Sequence, residues 1–473
     1  EKEYEPVRKY GTGIKKIITI GFVRNDPDAV SFEDLIKKGE AMYARDSHCE
    51  RSAFAMPSEN DLFTIIYTSG STGIPKGVML SHRNIISQIK SADLVYKLDG
   101  ARDKAISSLP LSHIFERMVM YFYLSKGVSV YFVEDLNNIG ALIREVKPDI
   151  MTVVPRLLEK IRDKMKEGAA DYRGVKKVIA SAALSFAERE TSHNGGSLFK
   201  YLFFRFAVYS KLINALGGKF RYIISGAASL PADVGRFFLN IGFPLYEGYG
   251  LTEASPVIAC NSKGHNKPGT VGRAFPGVAI KLNGNGEILA KGPNVMMGYL
   301  NSPAETSRVI DSDLFLHTGD LGTIDQKGYL KIVGRKKELF KKSTGEYVAP
   351  IPIEQALEKL DIVDIAVVIA EGRKFVSCIL FPDFEVAEKL KIKSGFSRMS
   401  VDDFLKSESI RKKIESHITE MNSHLHHTEE VQKFTVITDR ISIETGEITP
   451  TLKIRRTVIE KKFKNEIDAM YRD

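Results

Sequence analysis

Apolar positions come in short blocks in the first half of the chain. LFTIIYTSG (62–70), AISSLPLSH (105–113), VSVYFVED (128–135), DIMTVVPR (149–156) and FRYIISGAASLP (220–231) each read as a β-branched or aromatic run that ends in a turn. Between them, stretches such as LIREVKP (142–148) and RLLEKIRDKMKEG (156–168) space their apolar residues three and four apart. This alternation predicts parallel sheets with helices packed on them, and ligands in such sheets bind beyond the carboxyl ends of the strands. The polar loop YTSGSTGIPKGV (67–78) follows the first of these strands and is expected at such a position.

From about 255 to 334 the texture changes to short strands with Gly and Asn turns, as in GVAIKLNGNGEILAKGP (277–293) and GTIDQKGYLKIVG (322–334). These predict a small antiparallel β subdomain. GRKKELFKKSTGEYVAP (334–350) reads as a junction. Beyond it follow a helix, IPIEQALEKL, a strand pair, DIAVVIAEGRKFVSCILFP, charged helices, a strand, KFTVITD, and a last helix. The expected fold is multidomain α/β and α+β. A large N-terminal domain of parallel and mixed sheets (1–334) carries the β subdomain, and a small mobile C-terminal α+β domain (335–473) follows a hinge near 335–338. ERETSHNGGSLFK (188–200) reads as a loop, and no internal repeat is seen.

Composition narrows the class. The 473 residues are 43% hydrophobic, as in an ordinary globular protein, and the three cysteines (Cys49, Cys260, Cys378) lack the spacing of a disulfide framework or zinc site. A reducing, cytoplasmic compartment is expected. The longest apolar stretch, YFYLSKGVSVYFV (121–133), is broken by Lys126 and Gly127, too short to span a membrane. The start, EKEYEPVRKYG, has neither an initiator methionine nor the apolar core of a signal peptide. A net charge of +9 favours anionic partners without choosing among them.

The loop at 67–78 fails the Walker pattern: Pro75 stands where the second glycine belongs, and Gly77 follows Lys76. Its glycines, the hydroxyls of Ser69, Ser71 and Thr72 and the ammonium of Lys76 nevertheless suit a polyphosphate; a plain Gly/Ser turn is the competing reading. The loop resembles the phosphate signature of the adenylate-forming superfamily, which includes acyl-CoA synthetases, firefly luciferase and the adenylation domains of nonribosomal peptide synthetases. Further signatures follow in the family's order: SGAASLP (225–231), YEGYGLTE (246–253), GEILAKGPNVMMGYL (286–300), HTGDLG (317–322), VGRKKELFKKSTGEYVAP (333–350) and ITPTLKIRR (448–456).

The resemblance implies roles for these residues. Thr68, Ser69, Gly70, Ser71, Thr72, Gly73 and Lys76 would hold phosphates. Adenine would lie between the backbone of Gly226, Ala227 and Ala228 and the ring of Tyr249, in a wall continued by Glu247, Gly248 and Gly250. Thr252 and Glu253 would face the triphosphate, with Glu253 on Mg²⁺, a hard cation that takes oxygen ligands. Asp320 and Arg335 would bind the ribose. Lys337 matches the hinge, Gly345 the border of the CoA channel, and Lys453 the lysine that reaches the acyl carboxylate and α-phosphate. Leu452 stands where many members have glycine.

Within the superfamily, LPLSHIFER (109–117), VVPRLLEKI (153–161) and KLINALGGKFRYIISGAASLP (211–231) look most like long-chain fatty acyl-CoA synthetases. His113 is then expected beside the α-phosphate. YLFFRFAVYSKLI (201–213) is open to three readings: acyl tunnel, membrane-surface helix, or core helix. HLHH (424–427) reads as exposed helix rather than a metal site. The implied reaction joins a fatty acid to ATP as acyl-adenylate, with pyrophosphate leaving, and then passes the acyl group to CoA. The alternatives are an adenylation enzyme loading another acid or a carrier-protein thiol, and a nucleotide-binding relative without catalysis. The implied partners are fatty acid, ATP, Mg²⁺ and CoA, with no nucleic acid. A homodimer and a peripheral contact at the inner face of the membrane stay open. Only 66 residues precede Tyr67, fewer than the family's usual N-terminal segment, so a truncated start is expected.

Overall fold

A computed structural model of the chain describes residues 9, 13–21, 27–46, 56–68, 75–135, 138–189, 196–336, 339–442, 444–449 and 454–472. They fall into two compact units, residues 1–61 and 62–473. In the first, strands Ile17–Thr19 and Ala29–Ser31 pair in parallel and lead into helix Phe32–Arg45. The Ser31 hydroxyl caps that helix by accepting from the Asp34 amide at 3.0 Å.

The second unit is built around a seven-stranded sheet in the order Arg273–Ala274, Val257–Cys260, Leu245–Gly250, Tyr222–Ser225, Ile150–Val153, Lys104–Ser107, Ser129–Phe132. The last five run parallel, as the alternation of strand and helix predicts. Every residue of Ile150–Val153 and Tyr222–Ser225 is buried, because helices cover both faces. Successive side chains sort by face: Ile106, Met151, Ile223 and Leu245 enter one core with helices Pro155–Ala170, Gly174–Glu188 and Ala232–Asn240. Ala105, Ile150, Tyr222, Ile224 and Tyr246 enter another with helices His82–Val95 and Ile114–Lys126.

Three sequence expectations are revised. Strands Leu62–Thr68 and Lys76–Ser81 are antiparallel neighbours, with Thr68 opposite Lys76, in a separate three-stranded sheet completed by Gly298–Tyr299. The phosphate-loop segment therefore joins a hairpin and is not a strand-to-helix crossover of the parallel sheet. Next, Val257–Cys260 and Arg273–Ala274 extend the large sheet, where the reading from 255 assigns them to the small subdomain. The chain folds straight back after Gly250, held by a 3.0 Å bond from the Leu251 amide to the Pro256 carbonyl, and so adds an antiparallel edge to the same sheet. The small antiparallel sheet itself comprises Ala279–Leu282, Glu287–Lys291, Leu316–Ile324 and Leu330–Arg335. Finally, the expected loop at 188–200 is shorter, since helix Gly174–Glu188 ends at its edge and a new helix starts at Gly196.

That new helix, Gly196–Phe204, widens into a π-turn at Arg205–Tyr209 and continues as Ser210–Ala215. Its inner residues Tyr201, Phe204, Val208 and Leu212 pack on the core, and the Tyr209 hydroxyl donates to the Ala183 carbonyl at 2.7 Å. Among the described residues no helix is long and apolar enough to cross a membrane.

Residues beyond 339 build a three-stranded sheet of Val363–Ile369, Val376–Pro382 and Val431–Val436, flanked by helices that include Pro350–Leu357, Phe384–Lys393 and Glu408–Asn422. Its two cores draw only on residues from 340 onward, and none of the other cores reaches past 332. Instead, a groove of about 2750 Å³ lies between helix Pro155–Ala170 and the later segments around 359–364 and 383–392. Arg156 pairs with Asp364 across it, and Lys389 reaches Glu167 at 2.7 Å.

Candidate active site

The site forms where three sheets meet. Strand Tyr222–Ser225 runs out at Gly226, whose amide donates to the Val153 carbonyl at 3.2 Å. A β-carbon at Gly226 would lie 3.0 Å from the Phe115 ring, and Ala227 next to it takes a φ of 67°. The backbone is thus pressed against an aromatic ring and then turned outward, leaving a shelf with no side chain larger than a methyl. The neighbouring strand ends at Gly250, where a β-carbon would stand 1.8 Å from the Pro256 carbonyl oxygen, so only glycine passes.

Tyr249 sits between these two features. Its hydroxyl donates to Asp320 Oδ2 at 2.7 Å, and Arg335 Nε donates to Asp320 Oδ1 at 2.8 Å. Asp320 and Arg335 face each other on adjacent strands of the antiparallel sheet, so the triad links that sheet to the large one. Burial, reinforced by the Asp320 carboxylate, holds the Tyr249 phenol well above its ordinary pKa. It stays a neutral donor.

A second cluster surrounds Tyr299. Its hydroxyl donates to Glu253 Oε1 at 2.8 Å, and the Lys76 ammonium lies 5.2 Å from its ring centre. Lys76 in turn pairs with Glu305 Oε2 at 2.5 Å, and Arg308 pairs with the other oxygen. The hydrogen bond from Lys76 holds the Glu305 carboxyl below its usual range. Lys76 and Glu253, 177 positions apart in the sequence, are therefore brought together by one tyrosine.

A cavity of about 160 Å³ opens beside the shelf. Gly226, Ala227, Gly248, Tyr249, Gly250, Thr252 and His113 form part of its lining; Phe115, Met118, Val119, Phe122, Val257 and Phe275 make most of the rest apolar. Tyr96 and Cys260 also line it, and burial pushes the Cys260 thiol up to about 12, which keeps it protonated. Glu116 is the buried carboxyl of this wall. Ser107 and Thr152 donate to its two oxygens at 2.6 and 2.5 Å, tying helix Ile114–Lys126 to two strands, and burial raises its pKa to about 7.

The residues singled out in the sequence thus divide. Gly226, Ala227, Gly248, Tyr249, Gly250, Thr252 and His113 share one cavity, with Asp320 and Arg335 joined to it through Tyr249. Glu253 and Lys76 share Tyr299, and Thr68 is paired in register with Lys76. Ala228 is exposed beside Ala227. Glu247 is buried and accepts from the Leu230 amide at 3.2 Å, which braces the shelf from behind. Gly345 lies in the turn between strands Phe340–Lys341 and Tyr347–Val348 and is not among the residues lining the cavity. HLHH lies in a turn after helix Glu408–Asn422 and not on a helix, with His426 Nδ1 bonded to Thr428. Ser69, Gly70, Ser71, Thr72, Gly73, Lys337 and Lys453 lie outside the described residues.

Sequence reasoning missed Tyr299, Glu305, Phe115 and Glu116. Each lies inside or beside a recognised stretch: Tyr299 is the next-to-last residue of NVMMGYL, Glu305 follows it in PAET, and HIFER contains the other two. Their roles depend on residues far away in the chain, which no local pattern displays.

The Gly226–Ala227 shelf, the Tyr249 ring and the Asp320–Arg335 pair lie together within a fold that matches the AMP-binding class of enzymes. A family model for AMP-binding enzymes matches residues 15–300, and one for the AMP-binding enzyme C-terminal domain matches 338–473. The chain belongs to the AMP-binding enzyme family. It is 34% identical over 418 residues to long-chain-fatty-acid-CoA ligase FadD15 of Mycobacterium bovis, covering 87% of this chain and 69% of that one. It is 33% identical over 439 residues to human long-chain-fatty-acid-CoA ligase 1, covering 88% of this chain and 62% of that one. The fold matches O-succinylbenzoate coenzyme A synthetase of Bacillus subtilis, solved in complex with ATP and magnesium ion, with a TM-score of 0.63 and 20% identity over 96% of this chain and 81% of the other.

Proposed function

We propose that this enzyme activates a fatty acid, in particular a long-chain one, by joining it to ATP as an acyl-adenylate with release of pyrophosphate, and then transfers the acyl group to CoA. The observation that carries this reading is the cavity with mostly apolar lining that shares Gly226, Tyr249 and Thr252 with the proposed nucleotide site. A hydrocarbon chain held there has its carboxylate at the reacting phosphate. The two relatives named as long-chain-fatty-acid-CoA ligases support the same substrate class.

In this reading the Gly226–Ala227 shelf and the Tyr249 ring take the adenine, since a flat base fits a backbone surface with no side chain larger than a methyl and stacks on an aromatic face. Asp320 accepts from the ribose hydroxyls, and the hydrogen bond from Arg335 keeps its carboxylate oriented. Lys76 neutralises the phosphates. The donor set of Glu253, a carboxylate already facing a cation-bearing cluster, fits Mg²⁺. When bound, that ion supplies charge neutralisation at the phosphates. His113 precedes helix Ile114–Lys126 and lines the cavity, which supports assigning it to the acyl carboxylate. Lys453 is assigned the approach to the α-phosphate, and Lys337 and Gly345 the hinge and CoA channel.

Two measurements test this. With ATP, Mg²⁺, CoA and a ladder of fatty acids, pyrophosphate and AMP should appear together and rise toward the longer chains; release with amino or aryl acids alone would sink the proposal. Lys453→Ala should abolish adenylate formation but spare thioester formation from a supplied acyl-adenylate, and equal loss of both would remove Lys453 from the role.

A further inference from the structure

The helix that begins at Gly196 buries one side and leaves the other bare. Phe199, Leu202, Phe203 and Phe206 follow the i, i+3, i+4, i+7 spacing of a single helical stripe, and Leu198 borders it. Phe199 is 78% exposed and Phe206 88%, values far beyond those of scattered surface phenylalanines that rest on a neighbour. Nothing in the fold covers this stripe among the described residues, although Tyr201, Phe204 and Tyr209 on the inner side are packed on the core.

The charges around it have one sign. From Leu198 to Pro231 the sequence contains Lys200, Arg205, Lys211, Lys219 and Arg221 but no Asp or Glu. Arg221 is compensated by Asp103 and Asp149. Lys200, Arg205, Lys211 and Lys219 are exposed, and no carboxylate among the described residues pairs with them. Lys200 and Arg205 lie within the aromatic segment itself and flank its stripe.

Two kinds of occupant could cover such a face, and the charges separate them. The buried centre of a protein–protein interface is depleted in lysine. A helix lying in a bilayer surface has this composition instead: Phe and Leu sunk among the acyl chains, with Lys and Arg reaching up to anionic head groups. We infer that the face of Leu198–Phe206 is a docking surface for an anionic lipid bilayer, with Phe199 and Phe206 as its anchors and Lys200 and Arg205, exposed on its flanks, as its electrostatic contacts. The helix lies in the surface plane and does not cross it. This surface is separate from the apolar cavity, since none of its residues lines that cavity. It stands whether or not the substrate is a fatty acid.

The test is sedimentation of the full chain with vesicles of phosphatidylcholine alone and of phosphatidylcholine mixed with phosphatidylglycerol, at low and high salt. Binding should favour the mixed vesicles by about tenfold and weaken with salt. The pair Phe199→Ser and Phe206→Ser should lower binding about tenfold, and Lys200→Glu with Arg205→Glu should remove the preference for anionic lipid. Both pairs should keep the parent's thermal midpoint and its pyrophosphate release with a water-soluble acid, which shows that the fold and active site survive. Absence of vesicle binding by the parent overturns the inference, and so does binding that neither pair disturbs. A parent that binds no vesicles but forms a dimer that the serine pair dissolves assigns the face to a second copy of the chain instead.

Discussion

Glu116 shows how a single residue records its surroundings. Its carboxyl is fully buried beside the apolar cavity, and its pKa rises from 4.5 to about 7. In the folded protein it therefore holds a proton that the unfolded chain releases, so stability falls as pH rises from about 4.5 to about 7 and levels off above that. Glu116→Gln removes this titration and keeps hydrogen-bonding capacity toward Ser107 and Thr152. The variant should lose less stability across that window, by up to about 3 kcal/mol, as measured by urea unfolding at a series of pH values. Glu247 and Glu358 are raised to about 7 by the same cause, so the decline should shrink and not vanish; parallel pH profiles for parent and variant would deny Glu116 its share. None of this was visible in HIFER, where a glutamate at a helix start looks like a solvated charge. Gly226, Tyr249 and Asp320 could be singled out because SGAASLP, YEGYGLTE and HTGDLG match family signatures in order, whereas each residue alone would read as packing or a turn. Glu116, Tyr299 and Glu305 take their meaning from partners 36, 46 and 229 positions away.

At the scale of elements, Ser81 ends one and starts another. It closes strand Lys76–Ser81, and its side chain accepts from the Asn84 amide at 3.2 Å while its own amide donates to Asn84 Oδ1 at 2.8 Å, a reciprocal cap on helix His82–Val95. Ser81→Ala should cost about 1 kcal/mol, seen as a lower urea midpoint with an unchanged slope. Because the strand also carries Lys76, the KM for ATP should rise more than kcat falls. An unaltered midpoint would mean that the buried cap contributes nothing. The parallel strands were readable because burial on both faces leaves continuous apolar runs, as in DIMTVV and FRYIIS. The pairing of Val257–Cys260 was not, since a short strand near a turn has the same texture whether it opens a new sheet or edges an old one.

For the whole molecule, the decisive fact is which contacts are missing from the seam near residue 335. No hydrophobic core spans it among the described residues, and domains joined in this way are expected to move against each other. Replacing Glu167 and Lys389 by cysteines and joining them with a reducible bifunctional thiol reagent should fix the present arrangement. Crosslinking is then expected to stop the complete reaction while leaving one half-reaction intact, and reductant should restore the whole. Full turnover in the crosslinked form would show that the two parts need not move. The groove of about 2750 Å³ across this seam has a further meaning. The movement expected at this seam would expose little apolar surface and break screened ion pairs instead, so a wet, salt-loosened bearing is the expected behaviour of the joint.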